Sequence, residues 1–162
     1  MGEAARQNST TLLLGSRKKY AETYIKAAKT KRNSLSFEEA EVLRERADAF
    51  LENAKHLINT GSYDLAAFNL EQHCQLLLKY KPLIKTGTYP RTHSLTRLAD
   101  ELAKLEPQTK TLLDREDNML LLTKLEDAYI GARHLPRKYR DPEVEAMLRF
   151  VMEVFKPVVE RV

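Results

Sequence analysis

Between Ser62 and Ile84 the apolar residues go nearly all the way round a helical wheel: Leu65, Ala66, Ala67, Phe68, Leu70, Cys74, Leu76, Leu77 and Leu78. A helix with one apolar stripe lies on a surface, whereas one that is apolar on most sides has to be surrounded. This segment therefore predicts the central helix of a bundle, or a helix buried in an oligomer interface. Gly61 supplies the stop of the preceding helix and Ser62 the cap of this one. Pro82 removes a backbone donor near its end and predicts a frayed or kinked last turn.

The remaining segments read as its cover. Ser36 with Glu39 is a capping box, followed by the stripe Leu43, Ala47, Phe50, Leu51, Ala54, Leu57, Ile58. A third helix is expected from about His93 to Leu105, and a fourth from about Thr109 to Arg133. A fifth starts at Asp141-Pro142-Glu143, which places a cap, a proline at the first position and an acid in the first turn. Pro157 is expected to bend or end it. No alternating strand pattern and no repeat at solenoid periods competes. The expectation is an all-α, up-and-down five-helix bundle over residues 36–162, preceded by a basic arm over residues 1–35. In that arm residues 1–16 read as disordered and residues 17–33 as a short helix with Tyr20, Tyr24, Ala27 and Ala28 on one stripe, broken by Ser34 and Ser36.

With 43% apolar and 31% charged residues in a chain of 162, the composition fits one globular domain with an appendage and argues against wholesale disorder. The apolar run Leu12–Leu14 is too short for a membrane span. A lone cysteine, Cys74, allows no intrachain disulfide, and with no export signal the expected location is the cytoplasm, away from membranes. Of the 27 Lys/Arg and 23 Asp/Glu, eight and two lie in residues 1–34, so that segment carries +6 and the rest −2. Such an arm is either a solvated leader or a holder of nucleic acid or an acidic partner.

From Lys79 to Arg97 five cations (Lys79, Lys81, Lys85, Arg91, Arg97) occur without an acid, just before a helix start. Cations beside a helix N-terminus make a ready phosphate site. Strict up-and-down connection would bring Arg133, Arg137, Lys138 and Arg140 to the same pole, with Asp100, Glu101, Glu106, Asp114, Glu116 and Asp117 mainly toward the other. His93 either donates to a phosphate there or satisfies local backbone groups. Tyr129 and Arg133, four apart, share a helix face; they grip and stack on a ligand, or pack and cap the last turn. His73 reads as a core or interface histidine. Glu71, Gln72 and Gln75 form a polar patch that bonds across a dimer or lines a pocket.

The run Ala47, Phe50, Leu51, Glu52, Ala54, Lys55, Leu57, Ile58, then Gly61-Ser62-Tyr63-Asp64-Leu65-Ala66, Leu77 with Lys79, Thr92-His93-Ser94-Leu95, and Tyr129 with Arg133 before Pro136 resembles the HEPN family, the higher eukaryotes and prokaryotes nucleotide-binding domains. The likeness covers roughly residues 40–160. It implies a five-helix bundle that commonly forms a homodimer and is often paired with a minimal nucleotidyltransferase in toxin–antitoxin systems. Some members are metal-independent ribonucleases that use Arg, four to six residues, then His. None of His56, His73, His93 or His134 has an Arg so placed, and His134 rather than Tyr follows Arg133. The resemblance thus implies a module that binds a nucleotide or other phosphate-bearing ligand, or docks a nucleotidyltransferase partner, rather than an enzyme. The site residues expected are His93, Arg91, Lys79, Tyr129 and Arg133, with Arg137 on the rim. A divergent ribonuclease toxin, with Arg133 meeting His93 or His134 across a dimer, and a purely structural interaction module are the alternatives.

No HExxH, cysteine pair, Asp-rich loop, P-loop, GxGxxG or GxSxG occurs. No cofactor and no metal is therefore expected.

Overall fold

The structure, a computed structural model, describes residues 3–134 and 138–161. Helix α1 runs Glu3–Asn59, α2 Tyr63–Thr86, α3 Leu95–Leu105, α4 Thr111–Asp114, α5 Glu116–His134, α6 Asp141–Phe150 and α7 Lys156–Glu160. A 3-10 turn, Pro107–Lys110, precedes α4, and a π-helical stretch, Val151–Phe155, joins α6 to α7. No strand occurs among the described residues. The all-α bundle class expected from the sequence holds. By its contacts the chain divides into two units, Met1–Ser36 and Phe37–Val162.

In the first unit the chain is helical from Glu3 onward, where the sequence suggested a disordered leader and a short helix. Ser36 does not start a new helix. From Glu3 to Asn59 there is no proline and Gly15 is the one glycine. Serine costs a helix interior only a few tenths of a kcal/mol, so nothing in the sequence is strong enough to stop it. Thr23 and Thr30 donate their hydroxyls to the carbonyls of Lys19 and Lys26, four residues back.

In the second unit α2 is the axis. Ala66, Ala67, Leu70, Cys74, Leu77 and Leu78 are fully buried in one core with Ala47, Leu51 and Ala54 of α1, Leu95, Leu98 and Leu102 of α3, Leu122 and Leu125 of α5, and Val144, Met147 and Phe155 beyond. Each buried leucine of α2 contributes on the order of 2–3 kcal/mol by leaving water. The central-helix expectation is met on most of the circumference; the strip through Leu65, Phe68, Gln72 and Leu76 is less covered, with Leu65 54% exposed and the other three part-buried.

The stop before α2 works as read. Gly61 sits at φ 76°, and the Ser62 amide reaches back to the Leu57 carbonyl at 2.8 Å, a Schellman closure. Ser62 makes no side-chain cap. Asn53 then meets Asn69, Ala47 meets His73, and Arg44 lies over the Tyr80 ring, so α1 and α2 run antiparallel. Helix α2 continues through Pro82 and closes a turn later at Gly87, φ 77°.

The next connection breaks the alternation. Residues 87–94 fold back along α2: Tyr89 lies 5.8 Å from Lys79, and His93 bonds to Gln75. At the far end of α3, Glu106 pairs with Lys85 at 2.6 Å. Helix α3 therefore points the same way as the second half of α2. Meanwhile Tyr139, just before α6, donates its amide to Asp64 at the start of α2 (2.6 Å). Asp64 and Lys85 stand about 30 Å apart along the helix axis, at 1.5 Å per residue. The loop carrying Lys138 thus lies at the opposite end of α2 from Lys85, and the single basic pole expected from strict alternation does not form.

Two further starts differ from the sequence reading. The single fourth helix is divided at Arg115, which takes an extended ψ of 125°, into the 3-10 turn with α4 and then α5. The cap of α6 is Arg140, with Asp141 and Pro142 as its first two residues. Pro157 does not end the last helix. Its missing N–H is accommodated one turn earlier, where the Lys156 amide bonds to the Val151 carbonyl five residues back.

A chain of hydrogen bonds from the core to the start of helix α3

Glu71 and Gln75 lie one turn apart on the α3 and α5 side of α2. Glu71 is fully buried and Gln75 nearly so. The two carboxylate oxygens of Glu71 each accept from an amide: Gln72 Nε2 at 2.6 Å and Gln75 Nε2 at 2.9 Å. Burial pushes the Glu71 carboxyl up to about 7, against the pull of those two amides and of Lys79. The polar patch read from the sequence is therefore satisfied inside the chain.

With its Nε2 committed to Glu71, Gln75 presents Oε1 the other way. That oxygen accepts from Lys79 Nζ at 3.0 Å and meets His93 Nδ1 at 3.2 Å. An amide oxygen only accepts, so His93 carries its proton on Nδ1, leaving Nε2 as an acceptor. Desolvation pulls Lys79 below the ordinary lysine value, with Glu71 opposing. The exposed His93 ring stacks on half-buried Tyr129 of α5, centroids 5.0 Å apart and planes 13° apart. Three of the residues expected from the sequence, Lys79, His93 and Tyr129, are thus brought together, with Gln75 joining two of them.

Arg91 goes elsewhere. It lines a cavity of about 610 Å³ with Pro90, Thr92, Thr96, Arg97, Asp100 and Glu101. Asp100 and Glu101 sit with the arginines, contrary to the separation of charges expected from the sequence, because they follow Arg97 by one turn of the same helix. Arg137 and the side chain of Arg133 lie outside the described residues.

The start of α3 is not open to an anion in the way the sequence suggested. Ser94 caps it, accepting from the Arg97 amide at 3.3 Å. The Thr96 amide and hydroxyl both donate to one oxygen of Glu126, on α5, at 3.0 and 3.1 Å. The chain's own carboxylate takes the place that favourable helix-end amides offer to a phosphate. Likewise Lys85 is paired with Glu106. Sequence reasoning missed Glu126 because its partner lies thirty residues away. The one local signal was an acid on the core-ward side of α5, one turn before Tyr129.

Cys74 is fully buried, and burial raises its thiol well above the ordinary value, so it is held as the inert thiol. Among the described residues no three His, Cys, Asp or Glu side chains gather as metal ligands, and no helix is long and apolar enough to cross a membrane.

Compared with known proteins, residues 40–162 match the family model of the HEPN domain. No curated protein matches the chain.

Proposed function

Because the chain belongs to the HEPN domain family, we propose that it is a nucleotide-binding module whose ligand sits at the start of α3. The observation that carries this reading is the His93–Tyr129 stack with His93 Nδ1 and Lys79 Nζ converging on one oxygen, Gln75 Oε1. A flat, partly exposed pair of rings offers a face to a base. The Lys79 ammonium held beside it offers a charge-assisted hydrogen bond to a phosphate, and His93 Nε2, which carries no proton, accepts from an amino or hydroxyl group of the ligand. The neighbouring cavity carries both signs: Arg91 and Arg97 suit the phosphate end of a ligand, and Asp100 and Glu101 suit the amino groups of a base. A simple anion would gain nothing from the two acids. A nucleotide uses both.

In this reading the helix-end amides are not the phosphate's partners, since Glu126 and Ser94 already hold them. Side chains do the binding, and Glu71 fixes them through Gln75. The test is a calorimetric titration with ATP and AMP at near-physiological salt. Saturable binding in the wild type is expected, with a loss of at least about tenfold in His93→Ala, which removes the stacking face, and in Lys79→Met, which removes a charge-assisted hydrogen bond. Absence of heat, or heat that fades equally in all three proteins as salt rises, contradicts it.

A further inference from the structure

Glu71 is a carboxyl closed off from water that receives two amide donors, from Gln72 and Gln75. Among the described residues no cation pairs with it directly. The positive charge that acts on it belongs to Lys79, one glutamine away, held at 3.0 Å by Gln75 Oε1. Other ionisable groups face it from each neighbouring element. On α2 the Cys74 thiol is held neutral by burial, on α5 the Glu126 carboxylate opposes its ionisation, and His93 of the loop before α3 reaches it through Gln75. Helix α3 turns Leu95, Leu98 and Leu102 inward, while its Arg97, Asp100 and Glu101 are exposed. Burial sets the Glu71 carboxyl at about 7, with Lys79 pulling it down. In the nucleotide reading the same half-buried Lys79 is the ammonium that meets the phosphate.

We propose that a nucleotide binding at the start of α3 draws a proton onto Glu71, so that ligand and proton assist each other; this rests on the nucleotide reading of the site. A phosphate brought to Lys79 takes over the ammonium that partly offsets the Glu71 charge, and it adds negative charge of its own. Glu71, Glu126 and the phosphate then surround one half-buried lysine, where solvent screens like charges least. Neutralising Glu71 relieves that repulsion. The proton comes from solvent and bonds to the carboxylate oxygen beside Gln72, whose half-exposed amide turns its own oxygen to accept from it. The other carboxylate oxygen goes on accepting from Gln75 Nε2, so Gln75 keeps Oε1 toward Lys79 and His93. The ligand side holds its geometry while the charge beneath it changes. Such coupling is reciprocal: the factor by which the proton raises nucleotide affinity is the factor by which the nucleotide raises proton affinity. Affinity for AMP therefore falls as pH rises through neutrality.

The experiment uses the full chain with carbon-13 in its glutamate carboxyls. The Glu71 resonance is the one missing from Glu71→Gln, an assignment that needs no binding by that variant, and it is titrated from about pH 5.5 to about pH 9 with and without saturating AMP. Calorimetry at about pH 7.5 in two buffers of different ionisation heat counts the protons taken up; the second phosphate ionisation of AMP, near about 6, is nearly complete there. Expected is a Glu71 midpoint near 7 in the free protein that rises in the complex. With it go an uptake of roughly half a proton per AMP and an affinity that falls about fourfold between about pH 7 and about pH 8.5. Glu71→Gln is expected to take up no proton with AMP. In Lys79→Met, with no ligand present, the Glu71 midpoint is expected to rise, because the ammonium that lowers it is gone. A midpoint that bound AMP leaves unmoved or lowers overturns the proposal. So does uptake that persists in Glu71→Gln, or a Lys79→Met midpoint equal to that of the wild type. Absence of any saturable heat overturns the nucleotide reading and the proposal with it; saturable heat with an unmoved carboxyl overturns the coupling alone.

Discussion

Besides the Cys74 thiol, helix α2 carries two fully buried ionisable side chains, His73 and Glu71, two residues apart and hence on opposite sides of the helix. His73 faces α1. Its Nδ1 donates to the Ala47 carbonyl at 2.7 Å, and Nε2 has no hydrogen-bond partner among the described residues. The group ends there, within the packing. Glu71 faces α3 and α5, and its hydrogen bonds continue through Gln75 to Lys79 and to the exposed ring of His93. Burial acts on both by disfavouring charge, lowering the histidine and raising the carboxyl. One group is closed off and serves the fold, while the other reaches the surface and orients side chains that can meet a ligand. Burial alone does not separate the two roles; the destination of the hydrogen bonds does.

The contrast is broken most forcefully at His73. His73→Ala removes a ring from a site with no exposure, and large-to-small changes in such sites cost about 2–5 kcal/mol. Urea denaturation should register that loss, while nucleotide affinity of the folded protein stays unchanged. An equal loss of affinity would mean that the two faces are coupled.

Glu71→Gln is the next largest. A carboxyl raised from its unfolded value of 4.5 to about 7 leaves the folded state holding a proton that the unfolded chain has lost. Stability therefore falls as pH rises from about 4.5 to about 7 and then levels, by about 3 kcal/mol at most. The glutamine variant should flatten that fall in a pH series of thermal melts and be the more stable protein above pH 7. Half-exposed Gln72 can turn its amide to serve the new donor, whereas Gln75 is held by Lys79 and His93. A variant that melts lower than wild type at pH 8 would contradict this.

His73 acts with the opposite sign. Its lowered value keeps it neutral in the fold while the unfolded chain gains a proton below about 6.5, so stability is lost as pH falls below that value. His73→Gln should remove this acid limb and leave the Glu71 limb in place. The smallest effect is expected at Thr96→Val, which deletes the hydroxyl contact to Glu126 but keeps the amide one: about 1 kcal/mol by chemical denaturation. A loss several times larger would mean that Glu126 depends on the hydroxyl alone.

Much of the fold is legible because it is written locally. The largely apolar α2, the Gly61 stop and the stripe from Leu43 to Ile58 are short-range signals, and the structure carries each of them, with α2 left uncovered along the strip that begins at Leu65. The errors lie where a local signal competes with its context. Ser36 and Glu39 spell a capping box, but a serine has no power to end a helix where neither Pro nor Gly stands near it. The return of residues 87–94 along α2 is set by long-range contacts of Tyr89 and His93, which no spacing rule gives. That return moves the loop with Lys138 away from Lys85 and separates cations that strict alternation would unite. At the site, the Thr92-His93-Ser94 run marked the right place and Ser94 the right cap. Glu126 as the anion at that helix start, and Gln75 as the joint between Lys79 and His93, depend on partners 30 and 18 residues away.

The most direct test of the difference between the two faces follows the imidazole resonances of His93 and His73 by NMR while AMP is added, with assignments from His93→Gln and His73→Gln. Saturable perturbation of His93, with His73 unmoved, is the predicted result. A silent His93 while AMP binds, or equal movement of both rings, would contradict the assignment of the ligand to the α3 end of the Glu71 chain.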